Sequence, residues 1–107
     1  MFANTKAYSG FAVDNLQQAH EFYGETLGLK TSIFDEENGL MMLHLAGDRD
    51  TLVYRKPDFT PATYTILNFQ VEDVEKAVDE LTARGDGPDI AWFKDPAGNV
   101  LSVLQET

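Results

Sequence analysis

The chain has 107 residues, enough for one small domain, and 43% of them are hydrophobic, as in ordinary folded proteins. It contains no cysteine, so disulfide bonds, thiolate metal sites and cysteine nucleophiles are excluded, and a cytoplasmic location is expected. A net charge of -10 argues against nucleic acid as a partner, because the protein and a phosphate backbone repel each other. No apolar stretch reaches the length of a membrane-spanning helix, so no membrane association is expected.

The first half of the chain predicts a strand, a helix and three more strands. Residues 7–13 are β-permissive and lead to Asp14 and Asn15, short polar residues that suit a helix N-terminus. Apolar residues then recur every three to four positions over residues 16–26, which predicts an amphipathic helix that ends at Gly28. Turn-forming segments separate the three β-prone runs that follow, which predict a meander: residues 30–35, 40–46 and 51–55.

The second half of the chain repeats the first. Residues 56–61 contain two prolines and no periodic pattern, which is typical of a connection. A strand over residues 63–71, a cap at Glu72 and Asp73, and a helix that ends near Gly85 are then predicted. An offset of 58 aligns the strand-helix segments of the two halves with three identities: Phe11 with Phe69, Val13 with Val71, and Ala19 with Ala77.

A hairpin closes the predicted second half. Pro96 suits the first central position of a tight turn, while Gly98 and Asn99 tolerate positive φ. Strands over residues 90–94 and 100–105 are therefore expected to pair across this turn.

Two segments of the chain resemble signatures of a known family. The first opens with VDNL at residues 13–16 and closes with FYGETLGL at residues 22–29, similar to a strand-helix opening with Phe-Tyr near the helix end and Leu-Gly after it. The second, WFKDPAGNVL at residues 92–101, is similar to a penultimate strand, an Asp-Pro-x-Gly-Asn turn and a final strand. On these segments and the repeat, the chain resembles the glyoxalase/bleomycin-resistance, or vicinal oxygen chelate, superfamily.

The resemblance implies an α+β fold of two tandem βαβββ modules, whose curled mixed sheets surround a cup with the helices outside. We expect one domain over residues 1–107, with module one at 5–56 and module two at 62–107. The second module is expected to be short of one strand, because too few residues remain for it between the second helix and the final hairpin. Alternatively, the sequence omits a stretch between Gly85 and Pro88. Family members commonly pair modules across two chains, so a homodimer is expected.

Strand alternation assigns side chains to the cup. If Phe11 and Val13 face the first helix, Tyr8 faces the cup, and the same rule sorts the residues of the later strands. His44 alternates with apolar residues on its strand, and an imidazole can accept or donate a proton near neutral pH. Trp92 is assigned to the face away from the helix layer. The predicted ligand-binding residues are Tyr8, His44, Tyr54, Asn68, Gln70, Trp92 and Ser102.

The family's metal enzymes hold a divalent ion with His, Gln or Glu side chains on the first and last strands of each module. The corresponding positions here are Tyr8, Ile66 and Ser102, and the fourth lies near residues 52–54. None of these is a usual ligand, and Asp50 is expected in the turn before that strand. We therefore predict no metal and no other cofactor.

These observations predict a protein that binds a small apolar or aromatic molecule in a metal-free cup, with a cationic guest favoured by the acidic charge. The alternative is a metal-dependent lyase, isomerase or dioxygenase of the same superfamily, which needs an ion to polarise its substrate. A metal-free reaction with His44 or Tyr8 as general acid or base is also open. A third hypothesis is a structural or regulatory module whose main act is dimerisation.

Overall fold

Seven strands and the helix α1 lie within residues 1–74, 76–77 and 90–105, the part of the chain that the computed structural model describes. No helix among these residues is long and apolar enough to cross a membrane. The contacts between residues divide the chain into unit 1, Met1–Pro61, and unit 2, Ala62–Thr107. In chain order the elements are β1 Ser9–Val13, α1 Leu16–Glu21 with a π-helical continuation Phe22–Thr26, β2 Lys30–Asp35, β3 Leu40–Leu45, β4 Arg49–Arg55, β5 Thr65–Val71, β6 Ile90–Lys94 and β7 Val100–Gln105.

The four strands of unit 1 form one mixed sheet in the order β1-β4-β3-β2. β1 and β4 are parallel, with Phe11 beside Val53, whereas β4, β3 and β2 form an antiparallel meander. The predicted strand-helix-meander is therefore confirmed for this unit. The bounds predicted for β2 match the structure at both ends, and β4 begins earlier than predicted, at Arg49.

The core of unit 1 lies between the helix and one face of this sheet. Alternate strand residues are buried there because successive side chains of a strand point to opposite faces. Tyr23 has no exposed surface, and its ring centroid lies 5.7 Å from that of Phe11. Burial of each large apolar side chain stabilises the unit by roughly 1.5–3 kcal/mol. The buried apolar side chains are Phe11, Val13, Met41, Leu43 and Val53 from the sheet and Leu16, Ala19 and Tyr23 from the helical segment.

The helical segment begins and ends where the sequence indicates, but its last part has a wider turn than an α-helix. The Asn15 side chain accepts a 3.0 Å hydrogen bond from a backbone N–H of the first turn, which caps the helix. Phe22–Thr26 is π-helical, and the Leu27 backbone N–H donates to the Phe22 carbonyl at 2.9 Å. Gly28 then has a φ of 74°, a conformation that favours glycine, and the helix stops.

Unit 2 contains a three-stranded mixed sheet in the order β5-β7-β6, with β7 parallel to β5 and antiparallel to β6. The predicted final hairpin is confirmed, with the predicted bounds for both strands. Within the described residues this unit has one strand fewer than unit 1, which agrees with a short second module. Val74 and two residues of β7, Leu101 and Val103, are buried.

The second predicted helix lies largely outside the described residues. Its first turn begins where the sequence indicates, because the Asp73 side chain accepts a 3.2 Å hydrogen bond from the Lys76 backbone N–H. The Ala77 backbone N–H donates to the Asp73 carbonyl at 3.1 Å. The predicted end near Gly85 falls among the residues that the structure does not describe.

The turn between β6 and β7 differs from the prediction at one residue. Gly98 has a positive φ of 92°, as expected, but Asn99 does not adopt a positive φ. Instead, the Asn99 side-chain amide donates a 3.2 Å hydrogen bond to the Asp95 carboxylate. Asn99 therefore stabilises the turn through its side chain rather than through backbone freedom.

Candidate functional site

The His44 face is the face of the first sheet that lies opposite α1. Its side chains alternate along each strand with the buried core residues, and directly paired residues of neighbouring antiparallel strands share a face. Most of these side chains are half-buried, so the face combines apolar surface with access for solvent. The face is defined by Gly10, Ala12, Lys30, Ser32, Leu40, Met42, His44, Asp50, Leu52 and Tyr54.

A chain of hydrogen bonds joins Ser32, His44 and Asp50 at one end of the His44 face. His44 Nε2 lies 2.8 Å from Ser32 Oγ, and His44 Nδ1 lies 3.1 Å from Asp50 Oδ1. The three residues come from three adjacent strands, β2, β3 and β4. The side chains of His44 and Asp50 are 33% and 34% exposed, so a small molecule can reach them.

The acceptor character of the Asp50 carboxylate determines where the protons lie in this trio. An ionised carboxylate only accepts hydrogen bonds, so a neutral His44 carries its proton on Nδ1 and donates it to Asp50. Nε2 then has a free lone pair and accepts the hydroxyl proton of Ser32. The imidazole is therefore oriented as a proton acceptor toward the serine.

Asp50 lies within β4, so the expectation that it lies in the turn before that strand is wrong. The turn between β3 and β4 covers only residues 46–48, with positive φ at Gly47 and Asp48, and it places Asp50 directly opposite His44. Strand alternation indicated His44 as a site residue but neither of its partners, Ser32 and Asp50. Turn length was the usable signal, because residues equidistant from a short hairpin turn pair with each other.

The two tyrosines predicted for unit 1 have different positions. Tyr54 is half-buried and lies on the same face as His44, with one row of apolar side chains between them. Tyr8 directly precedes β1 and is 60% exposed. The structure therefore brings Tyr54 and His44 onto one surface and places Tyr8 next to the first strand, outside the sheet pairing.

The Trp92 face is the face of the second sheet opposite the buried Leu101 and Val103. Because β7 is the central strand, Ser102 lies beside Asn68 of β5 and opposite Trp92 of β6. The structure thus brings three predicted residues into one row across the sheet. The face is defined by Asn68, Gln70, Trp92, Lys94, Val100, Ser102 and Leu104.

A short hydrogen bond fixes the amide at the centre of the Trp92 face. Ser102 Oγ donates to Asn68 Oδ1 at 2.6 Å. Ser102 has no exposed surface whereas Asn68 is exposed, so the serine holds the amide and the amide reaches solvent. Asn68 Nδ2 has no acceptor among the residues that the structure describes, which leaves two N–H donors available. Gln70, also exposed, lies in the next row beside Leu104.

The residues at the expected metal positions do not fit a divalent ion. Tyr8 offers a phenol, Ile66 offers no donor atom, and the Ser102 hydroxyl is hydrogen-bonded to Asn68. Divalent metals in proteins prefer imidazole nitrogen and carboxylate oxygen. Across the described part of the chain, no three His, Asp or Glu side chains are grouped so that they could hold a metal.

Two surface cavities lie away from both faces. One of about 260 Å³ adjoins the start of α1 and includes Glu36 and Arg55 in its lining. The other, of about 330 Å³, is lined in part by Asp73 and Lys76. Neither contains a predicted binding residue.

A strand-helix-meander unit, followed by a related unit that has fewer strands among its described residues, defines the class of protein that is built from tandem βαβββ modules. A family model described as the Glyoxalase/Bleomycin resistance protein/Dioxygenase superfamily matches residues 7–103. The chain belongs to this superfamily. No curated protein matches the sequence.

Solved structures with this fold cover nearly the whole chain. TnmS3, an antibiotic binding protein from Streptomyces sp. CB03234, is 25% identical, with a TM-score of 0.73 and coverage of 97% of this chain and 98% of that chain. A member of the superfamily from Sphaerobacter thermophilus is 21% identical, with a TM-score of 0.75 and coverage of 95% and 98%. The fosfomycin resistance protein FosX from Listeria monocytogenes is 13% identical, with a TM-score of 0.74 and coverage of 97% and 92%. The last two likenesses establish the fold alone.

Proposed function

We propose that this protein binds a small apolar or aromatic molecule without a metal ion, and that the ring of Trp92 stacks against it. The observation that carries this proposal is the row on the Trp92 face, where an indole ring that is 59% exposed lies in line with an amide held by a buried serine. Tryptophan is enriched at interfaces because its large apolar ring carries a polar N–H group. Small-molecule sites combine such surface with a few oriented polar groups.

Asn68 supplies the oriented hydrogen-bond donors of the proposed site. The hydrogen bond from Ser102 holds the amide in place before a guest arrives, so less side-chain entropy is lost on binding. The two N–H groups of Asn68 donate to an acceptor on the guest, such as a carbonyl or ether oxygen. Gln70 offers a second amide one row further along the same face.

The charge of the protein favours a cationic guest. With a net charge of -10, the protein attracts cations at long range, and the face of an indole ring attracts them at contact. Of three phenyl compounds of similar size that carry an amine, a hydroxyl or a carboxylate, the amine should bind most tightly and the carboxylate most weakly.

The predicted residues of unit 1 are proposed for that unit alone. His44 and Tyr54 share one face of the first sheet, where a polar ring and a phenol accompany apolar side chains. Tyr8 offers an exposed ring beside β1. On the same grounds of exposure and chemistry, these three residues are proposed contacts for a small molecule on unit 1 by itself.

The likeness to TnmS3 supports a binding role over metal-dependent catalysis. That protein is described as antibiotic binding, is 25% identical to this chain and is covered over 98% of its length. The poor fit of Tyr8, Ile66 and Ser102 to a divalent ion supports the same choice.

Fluorescence titration tests the proposal, because Trp92 is the only tryptophan in the chain. The purified protein is titrated with phenethylamine, 2-phenylethanol and phenylacetate, and with a panel of aromatic antibiotics. We expect a saturable change in emission for at least one aromatic compound, a matching rise in Tm, and the order amine, alcohol, carboxylate in affinity. Emission that responds to every compound only as free N-acetyltryptophanamide does would contradict the proposal.

A further inference from the structure

The trio on the His44 face has the connectivity of a nucleophilic triad. A serine hydroxyl lies within hydrogen-bond reach of a histidine Nε2, and a carboxylate lies within reach of the Nδ1 of the same ring. We propose that Ser32, His44 and Asp50 hydrolyse small carboxylic esters with an apolar substituent. This activity uses unit 1 alone and does not depend on binding at the Trp92 face.

The two distances assign a separate role to each residue. Ser32 Oγ lies 2.8 Å from Nε2, inside the range in which a base takes a proton from a nucleophile. Asp50 Oδ1 lies 3.1 Å from Nδ1 and holds the tautomer in which Nε2 is the acceptor. Ser32 is the nucleophile, His44 is the general base, and Asp50 is a positioning residue for the imidazole.

The stability of the fold does not require the hydrogen bonds among Ser32, His44 and Asp50. The side chains of His44 and Asp50 are about one-third exposed, so water could satisfy these groups without one another. Of the paired positions next to the trio, Met42 and Leu52 carry apolar side chains, as half-buried sheet surfaces usually do, whereas Lys30, paired with His44, is charged and exposed. A serine and a carboxylate that are each hydrogen-bonded to the same imidazole form an arrangement suited to proton transfer from the serine.

The neighbours of Ser32 define the class of substrate. Ser32 pairs with Met42, Met42 pairs with Leu52, and Leu52 lies beside Gly10, so one apolar row runs from the serine across the sheet. A Cβ at position 10 would lie 3.1 Å from the Leu52 carbonyl oxygen and 3.2 Å from its Cβ, so glycine keeps this end of the row low and open. An acyl chain or aryl group of an ester can lie along the row.

The position of Ser32 on an edge strand gives access to the reacting carbonyl. β2 lies at the edge of the sheet, and every second backbone N–H of an edge strand points away from the sheet. Such N–H groups beside the nucleophile can donate to the oxyanion that forms during acyl transfer.

The proposed reaction is a two-step hydrolysis with water as the second reactant. Ser32 Oγ forms a bond to the ester carbonyl carbon while its proton passes to His44 Nε2. The tetrahedral intermediate then breaks its bond to the alcohol oxygen, which leaves with the proton from Nε2 and yields acyl-Ser32. Water next gives a proton to Nε2 and attacks the acyl carbon, and Ser32 Oγ leaves with that proton as the carboxylic acid is released.

Hydrolysis of p-nitrophenyl acetate tests the nucleophile and the base, and the chain offers a matched control for each. Ser32→Ala and His44→Gln are compared with Ser9→Ala, a serine on β1, and with His20→Gln, the only other histidine. Both trio variants should lose about 100-fold in kcat/KM or fall to the rate of free imidazole, while both controls retain the wild-type rate. Circular dichroism establishes that each variant is folded.

The covalent intermediate gives a second readout that does not depend on rate. Rapid acid quenching followed by peptide mass spectrometry should find one acetyl group on Ser32 in the wild type and none there in His44→Gln. Acetyl groups only on lysines or the N-terminus, or wild-type hydrolysis no faster than that by free imidazole, would overturn the proposal. Because the titration of Trp92 is a separate measurement, saturable binding without hydrolysis would reject the triad and leave the binding function intact.

The positioning role of Asp50 is tested by a measurement that a purely structural role would not change. Asp50→Asn should lower kcat and leave KM unchanged, because the carboxylate acts on the imidazole and not on the ester. Asp50→Glu should restore part of kcat. An effect on KM alone in both variants would show that Asp50 has no part in orienting the base.

Discussion

Asp95 and Asn99 hold the turn between β6 and β7 through their buried side chains. The Asn99 backbone N–H donates to Asp95 Oδ1 at 2.8 Å, and Asn99 Nδ2 donates to Asp95 Oδ2 at 3.2 Å. Asn99 Oδ1 also accepts a 3.2 Å hydrogen bond from the Ala62 backbone N–H, which connects the turn to the start of unit 2. The turn therefore fixes the register of the hairpin, and with it the row that contains Trp92 and Ser102.

Replacement of Asn99 should destabilise the protein markedly. Asn99→Ala leaves the buried Asp95 carboxylate and the Ala62 N–H without this partner, and we expect a loss of about 1–3 kcal/mol in the free energy of unfolding. Urea denaturation measures it. Asn38→Ala removes an amide from a comparable but exposed turn and should change stability by about 0.5 kcal/mol or less. Equal effects of the two variants would contradict the structural role of Asn99.

Asn38 should control the titration of Asp35. The Asn38 side chain, and secondly its backbone N–H, hold the pKa of Asp35 below its ordinary value of 3.8, through hydrogen bonds of 2.8 Å and 3.1 Å. A lowered folded-state pKa adds stability above the ordinary value, and that contribution is lost as the pH falls through the lowered pKa. In Asn38→Ala, NMR titration of the carboxyl carbon should find the pKa of Asp35 raised toward 3.8, whereas Asn4→Ala leaves it unchanged. An unaltered pKa in Asn38→Ala would refute this cause.

Periodicity was sufficient to predict the strands and the first helix, because each element carries a regular alternation or a three-to-four-residue repeat. It did not predict the π-helical turn, since the choice between hydrogen bonds four and five residues apart leaves little trace in the apolar pattern of Phe22–Thr26. The family resemblance supplied the order of the modules, which periodicity alone does not contain. The homodimer and the cytoplasmic location stay predictions.

Alternation placed His44, Asn68 and Trp92 on particular faces, but it does not give contacts between strands. Contacts depend on register, which is set by turn length, and an incorrect start for β4 therefore concealed Asp50. Alternation also does not predict how much of a side chain is exposed to solvent. Ser102 lies on the predicted face and yet is fully buried.

Ser102 should contribute to affinity through Asn68. In Ser102→Ala the amide loses the 2.6 Å hydrogen bond that orients it, so it must be ordered by the guest itself. We expect binding of an aromatic ligand to weaken by about tenfold, or 1.4 kcal/mol, by isothermal titration calorimetry. Ser9→Ala is the matched control and should bind as the wild type does. Affinity that is the same in both variants would remove Asn68 and Ser102 from the site.

Metal ions should have no influence on ligand binding. Because Tyr8, Ile66 and Ser102 do not provide a divalent-metal donor set, addition of Zn²⁺, Mn²⁺ or Ni²⁺ at stoichiometric concentration should not raise Tm. Treatment with EDTA should leave the dissociation constant of an aromatic ligand unchanged. Loss of binding after EDTA, with recovery on return of one ion, would restore the metal-dependent hypothesis.

Calorimetric titration of two variants, Trp92→Ala and Tyr64→Ala, with an aromatic ligand tests the binding function most directly. Both residues are exposed aromatics of unit 2, at 59% and 71%, but only Trp92 lies in the row with Asn68 and Ser102. With the best aromatic ligand from the fluorescence titration, we predict that Trp92→Ala weakens binding about tenfold or more while Tyr64→Ala retains wild-type affinity. Wild-type affinity in Trp92→Ala would contradict the proposed role of this face.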